Sequence, residues 1–378
     1  MDFKESRKRY NKKQRIKFNN KMKFLGGGGS SNLIYIADKY VYKIIPYFKK
    51  EASDIKRFDN DQKEMNVYKI LTKEFILTNR TPHIVGYYDH YKMKLPTVFG
   101  SCPSMEEKYF KKDPFKNMSI RVCRLKDRID KGKIKETADV IVIEKSPNDI
   151  SKTILELLKT NKTNKFIELG KLIDRISFQT IFTLAVILDK YPTFVHNDFF
   201  LRNILGTIEN KYEMNEYVEY NFKGKKFYLP ANGFYIKIND FGYTLAKSKM
   251  ISTMIFEIDR SIIGMPKIDC NKCDVFNFLH DFYDGQNLDA KSVMTIMKKK
   301  SEKNKKYIRN IFKKYIDVKI IDKINKVNRS TLNYTWAIKE VNLLKKTVKT
   351  PKQYLNDTTF KKYKKLPKNG VVVEKYGI

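Results

Sequence analysis

Long apolar runs are missing from this sequence. No stretch reaches the roughly 18 uninterrupted apolar residues that a membrane span needs, so none is expected. The first 23 residues are polar and basic with no apolar segment behind them, which argues against a secretory signal. Cysteine is scarce: the 378-residue chain holds only Cys102, Cys123, Cys270 and Cys273. In a long chain without a signal, reduced thiols are expected rather than a disulfide framework. Cys270 and Cys273 form a lone CxxC, and no second close pair completes the ligand set of a structural zinc. Acidic residues are few, 42 against 77 Lys and Arg, which leaves a formal net charge of +35. Lysines are spread along the whole chain, partly as filler of solvated faces. A field of this sign still attracts nucleic acid, anionic lipid or acidic proteins, so non-specific nucleic-acid binding through basic surfaces is a candidate property. Apolar material is not lacking. With 42% hydrophobic and 13% aromatic residues the chain can build a core, which excludes wholesale disorder.

Residues 1–23 read as a flexible basic arm. The glycine run Gly26–Gly29 precedes two β-rich stretches, Leu33–Ile36 and Tyr40–Ile45, joined tightly through Ala37-Asp38-Lys39. Residues 59–72 fit a helix, with Met65, Tyr68 and Leu71 recurring on one face. His83–Tyr88 reads as a strand. Residues 91–138 lack periodicity and carry Pro96, Gly100, Pro103 and Pro114, so an insertion or long loop is expected. Val140–Ile143 is a short buried-strand pattern, and residues 165–190 read as one long helix with an apolar second half. Beyond about residue 275 the pattern is helical and basic, ending in a loop-rich tail. No internal repeat is evident.

The strongest signal is His196-Asn197-Asp198-Phe199-Phe200-Leu201-Arg202-Asn203, followed downstream by Asp240-Phe241-Gly242. Phosphoryl transfer from a nucleotide needs positioned metal ions, a cradle for phosphates and a carboxylate that orients the attacking hydroxyl. Asp198 suits the last role. Asn203 offers a neutral oxygen to a hard cation from the same loop, Asp240 offers a charged one, and Gly242 lets the chain turn after it.

These segments resemble the catalytic loop and DFG motif of the protein kinase superfamily, and the resemblance spans roughly residues 24–285. It implies an α+β, bilobal fold, with a small β-rich lobe at 24–144 and a larger, mainly helical lobe at 145–378. The larger lobe would carry an extra loop or hairpin at about 206–235 and a basic C-terminal extension. It implies ATP and Mg²⁺ (or Mn²⁺) as cofactors and a protein substrate as partner. Lys43, in Val41-Tyr42-Lys43-Ile44, is similar to the phosphate-pairing strand lysine. Glu64 looks like its acidic partner, with Asp61 as fallback. Gly27 and Gly29, with Ser30 and Ile34, would form the nucleotide lid. Glu144 sits where the adenine-reading hinge begins, and Asp274 resembles the residue that braces the catalytic loop.

The match also departs from the family. Asn197 stands where most protein kinases carry arginine, and Phe200 where serine/threonine kinases place lysine. Arg202 is positioned to supply the missing charge. No Ala-Pro-Glu motif follows Gly242. With Asn197 neutral, activity is expected not to depend on phosphorylation of Thr244, Ser248, Ser252 or Thr253. The combination looks like the divergent kinases of large cytoplasmic DNA viruses, including poxvirus virion kinases. That implies a host-cytoplasm viral factory or the virion as location, and virion proteins as substrates. Two alternatives are a small-molecule kinase of the choline or aminoglycoside type and a basic virion protein with an inactive kinase fold.

Overall fold

The computed structural model describes residues 23–26, 33–37, 39–48, 64–95, 118–146, 148–160, 162–242, 244, 246, 272–284, 292–319 and 348–378. Residues 1–22 of the basic arm, Gly27, Gly29, Ser30, Asp61, Cys102, Cys270, Ser248, Ser252 and Thr253 lie outside the described residues, and Lys23, the arm's last residue, opens the first strand. The chain is α+β and divides into two compact units, one of residues 2–72 and 85–145, the other of 73–84 and 146–378.

The first unit is built on a five-stranded antiparallel sheet. Its strands are β1 (Lys23–Gly26), β2 (Leu33–Ala37), β3 (Tyr40–Phe48), β4 (Tyr87–Lys94) and β5 (Ile134–Glu144), in the order β1-β2-β3-β5-β4. Side chains alternate across a strand. Leu33, Tyr35, Tyr42, Ile44, Val140 and Val142 therefore share one face, where Leu125 of helix α2 (Met118–Asp130) joins their core. Helix α1 (residues 64–71) buries Met65, Tyr68 and Leu71. In β5 every residue from Ala138 to Glu144 is buried, which explains its unbroken apolar run.

Of residues 91–138, read as an insertion or long loop, the described ones are largely regular: they hold the end of β4, all of α2 and the start of β5, and 96–117 lie outside the described residues. β4 carries a short period-2 pattern, with Tyr91 and Met93 packed on the core between the exposed Lys92 and Lys94, and six of the 13 residues of α2 are charged. The predicted strand at His83–Tyr88 begins only at Tyr87. Ile84 forms a parallel bridge to Ile238 in the second unit's sheet. Cys123 and Cys273 each take part in a disulfide, which corrects the expectation of reduced thiols at these two positions. Reasoning from compartment says nothing of which sulfurs a fold brings within bonding distance.

The second unit is organised around α4 (Lys165–Lys190), whose residues Ile176–Ile187 are buried all round. It follows β6 (Asn148–Asp149) and α3 (Ile150–Lys159). Next come β7 (Ile204–Glu209), the hairpin β8 (Glu216–Phe222) and β9 (Lys225–Pro230), and β10 (Gly233–Ile238). One three-stranded sheet has the order β10-β7-β6. Gln179 of α4 fixes β10 to the helix, donating to Phe234 O at 3.1 Å and accepting from Ile236 N at 2.9 Å.

Among the described residues four helices and a last strand follow: α5 (Cys273–Asp284), α6 (Val293–Met297), α7 (Glu302–Phe312), α8 (Pro351–Asn356) and β11 (Val371–Gly377). Asp174 of α4 anchors this C-terminal region. It accepts from Tyr315 Oη at 2.5 Å and pairs with Lys314 and Lys362. The expected loop-rich tail instead ends in β11, which runs parallel to β8 in the sheet β11-β8-β9. Gly377 has φ 142°, and a Cβ there would collide with the Asn221 backbone, so only glycine fits this clasp. Tyr376 is 3% exposed and packs against Tyr220 with ring centroids 5.9 Å apart. Tyr376→Ala should cost about 3 kcal/mol in a denaturant titration. The exposed Val371→Ala should stay within about 0.5 kcal/mol. Equal effects would show that β11 is not docked.

Candidate active site

In the first unit, alternation along β3 sends Tyr42 and Ile44 into the core, so Lys43 projects from the opposite face. There Glu64 of α1 receives it: Lys43 Nζ donates to the two carboxylate oxygens at 2.7 and 2.5 Å. Lys43 is 9% exposed and Glu64 2%. Burying such a pair seldom adds net stability, because desolvation offsets the attraction. The pair instead holds one ammonium in one place. Ile34 lies across from Lys43 in the β2–β3 register and is half-buried. Glu144 is turned inward. Its carboxylate accepts from Gly86 N at 3.1 Å and its own N–H donates to Gly86 O at 2.8 Å, so its side chain is structural.

In the second unit, the loop after α4 turns back on itself through Asn197, whose φ is 63°. Asparagine tolerates this left-handed conformation better than most residues, which gives one physical reason for Asn at this position. Asp198 then sits one turn before Arg202 and Asn203. Arg202 pairs with Asp198 Oδ1, and Asn203 Nδ2 donates to Asp198 Oδ2 and to its backbone oxygen, each at 2.8 Å. The Arg202 guanidinium also stacks over Phe200, 5.0 Å from the ring centroid. With its amide nitrogen directed at Asp198, Asn203 turns its side-chain oxygen the other way.

Asp240 follows β10 after one residue, Asn239, and has φ 62°. Its strand is joined to the Asp198 loop by Asn239 N–H to Asn203 O at 2.9 Å and by His196 Nε2–H to Asn239 O at 3.0 Å. His196 lies between Phe199 and Phe241, each ring centroid 5.1 Å away. Burial keeps its pKa below the usual imidazole value, against the pull of Asp198 and Asp240, so the ring serves as a neutral donor.

Helix α5 supports this loop from beneath. Asp274 accepts from His196 N at 2.7 Å and Asn197 N at 3.2 Å, and Asp281 accepts from Leu201 N at 2.7 Å. Sequence reasoning found Asp274 and missed Asp281. The available signal was a second aspartate two turns on, on the same face of an otherwise apolar helix. It also missed His83, whose ring contacts Ile236 O and Tyr220 Oη at 3.2 and 2.9 Å behind β10.

Burial pushes the Asp274 pKa up to about 7, against the two N–H bonds that pull it down. Between the unfolded value near 3.8 and about 7, the folded chain holds a proton that the unfolded chain has released. Stability from this group therefore falls as pH rises through that window. The stability advantage of wild type over Asp274→Asn should shrink from about pH 4 to about pH 7 and then level off in denaturant titrations. Parallel curves for the two proteins would contradict it.

The donor chemistry fits a hard divalent cation. Asp240 supplies a carboxylate and Asn203 an amide oxygen, and Mg²⁺ typically takes one or two protein oxygens beside substrate phosphates and water. Among the described residues no group of three or more His, Cys, Asp or Glu is placed to hold a metal. The candidate residues thus form two sets. Asp198, Arg202 and Asn203 are in contact with one another, and Asp240 is tied to them through Asn239. Lys43 and Glu64 form the second set, in the first unit.

The order of these parts along an α+β chain is that of a protein kinase. Across 378 aligned residues the chain is 36% identical to a protein of Acanthamoeba polyphaga mimivirus named as a putative serine/threonine-protein kinase, covering 93% of this chain and 91% of that one. A second protein of the same virus, named in the same way, is 27% identical over 218 residues, 54% of this chain and 42% of its own. No family model matches. At the first relative's identity and coverage, the chain belongs to the protein kinase superfamily, in the divergent group carried by large cytoplasmic DNA viruses.

Proposed function

We propose that the chain transfers the γ-phosphate of ATP to serine or threonine hydroxyls of protein substrates, with Mg²⁺ (or Mn²⁺) held by Asn203 and Asp240. The observation that carries this proposal is the clamped carboxylate of Asp198, fixed on one oxygen by Arg202 and on the other by Asn203. Each oxygen keeps a further lone pair for the substrate hydroxyl. The bound metal would neutralise charge developing on the phosphates. Asp198 orients the hydroxyl and takes its proton. The hydroxyl oxygen bonds to the γ-phosphorus as the bond to the ADP oxygen breaks. Lys43, steadied by Glu64, pairs with the phosphates, and Arg202 adds positive charge beside the transferring group. Gly27, Gly29, Ser30 and Ile34 cover the nucleotide, and the backbone near Glu144 reads the adenine.

The names of the two relatives support serine or threonine over tyrosine. The test is labelled ATP with Mg²⁺ and a panel of acidic protein, basic protein and choline. Label on serine or threonine of protein is expected, and label on choline alone would favour a small-molecule kinase.

The proposal extends to place: a cytoplasmic viral factory and the virion, with virion proteins among the substrates. The +35 charge supports co-packaging with nucleic acid. Retention on duplex DNA should then fall with log salt at a slope near roughly −0.9 per phosphate contact. Salt-independent retention would contradict an electrostatic origin.

A further inference from the structure

A groove of about 660 Å³ opens in the second unit, lined by residues of α3, α4, the β7–β10 region and the segment after α8. Nothing in the catalytic account uses it. Its floor is apolar, with Leu157, Leu172, Ile208 and Phe234 among the lining residues, and Ile208 is 43% exposed. Its cations are Lys171, Arg175, Lys362 and Lys365, against a single carboxylate, Glu168.

Arg175 builds the wall rather than the rim. It donates to Asn232 O at 2.5 Å and Pro230 O at 2.7 Å. Lys362 pairs with Asp174 and lies 4.9 Å over the Tyr363 ring. Lys171 pairs with Glu168 at 2.9 Å in an exposed contact of the kind that contributes little. Lys171 and Lys365 are therefore exposed positive charges available at the edge of an apolar floor.

We propose that this groove docks an acidic peptide segment with apolar anchors, carried by a protein substrate. The sign of the rim selects glutamate and aspartate, and the apolar floor, with Leu157, Leu172 and Ile208, selects leucine-like side chains between them. The chain's own arm at residues 1–23 is basic and a second copy carries +35, so both have the wrong sign. A nucleic acid strand would match the rim and could stack on Tyr217, Tyr228 or Tyr363, but would leave Leu157, Leu172 and Ile208 without an apolar partner. The proposal rests on the kinase assignment only in making the partner a substrate. Binding itself needs no phosphoryl transfer, so failure of docking and failure of catalysis are separately visible.

The probe is a short fluorescein-labelled peptide of glutamates interrupted by leucines, titrated by anisotropy with the full chain. Wild type should bind, more weakly as salt rises. The double variant Lys171→Glu/Lys365→Glu should weaken binding about tenfold or more. Ile208→Asp, which removes floor rather than rim, should weaken it comparably. Both variants should phosphorylate a substrate peptide lacking an acidic segment at the wild-type rate. No binding by wild type, or equal binding by all three proteins, overturns the proposal. So does a poly-dT oligonucleotide that binds wild type, is lost in the same variants and displaces the peptide, because the groove would then be a nucleic-acid site.

Discussion

Asp198→Asn should lower phosphoryl transfer by roughly a thousandfold or more, equivalent to several kcal/mol of barrier, with the fold unchanged. The substitution keeps the shape that Asn203 and Arg202 hold but removes the charge. It also places an amide nitrogen among donors: Arg202 reaches one carboxylate oxygen of Asp198 and Asn203 the other. Whichever way the new amide turns, one donor meets a donor. The asparagine cannot take up the hydroxyl proton. Thermal unfolding within a few degrees of wild type, with turnover lost, is the expected pair of results. Retained turnover would remove Asp198 from the chemistry.

The second large effect combines stability and activity at Lys43. Lys43→Met leaves Glu64, only 2% exposed, without its ammonium. Breaking a buried pair by removing one partner typically costs about 3 to 5 kcal/mol. The variant should therefore be both unstable and inactive. Replacing both groups, Lys43→Met with Glu64→Leu, removes the buried carboxylate together with its ammonium and should recover most of the stability. Turnover should stay lost, because the phosphate-pairing ammonium is still missing. A double variant that regains activity along with stability would make the pair purely structural. Denaturant midpoints and initial rates measured on the same preparations separate these outcomes.

Much of this was legible in the sequence because it is local. Lys165–Lys190 was readable as one helix, since an apolar second half buried on all sides needs no partner to be recognised. Asp198 and Asn203 could be grouped from spacing and Arg202 through the family resemblance, and about one turn of chain brings the three into contact. Residues 59–72 showed their helical face through Met65, Tyr68 and Leu71, and the described part of that helix buries all three.

What escaped was non-local. β11 looked like a tail because Val371–Val373 gains its meaning only from a parallel partner, β8, far earlier in the chain. Asp281 looked like one more helical aspartate until Leu201 N was found bonded to it. Asp274 and Asp281 together replace local capping with a buried carboxylate frame for the catalytic loop, which a one-dimensional pattern does not encode. The β4–β5 region failed for a different reason. The alternation Tyr91-Lys92-Met93-Lys94-Leu95 is only five residues long and runs straight into a stretch with prolines at 96, 103 and 114, and α2 mixes six charged residues into 13.

The central claim is tested most directly by following label from ATP into protein. Two parallel incubations contain the full chain, Mg²⁺ and a mixed protein acceptor, one with γ-labelled and one with α-labelled ATP. The account predicts γ-label on serine or threonine, none from the α position, and loss of incorporation when EDTA removes the metal. Incorporation equal to the enzyme-free control, or γ-label that persists in EDTA, would contradict it.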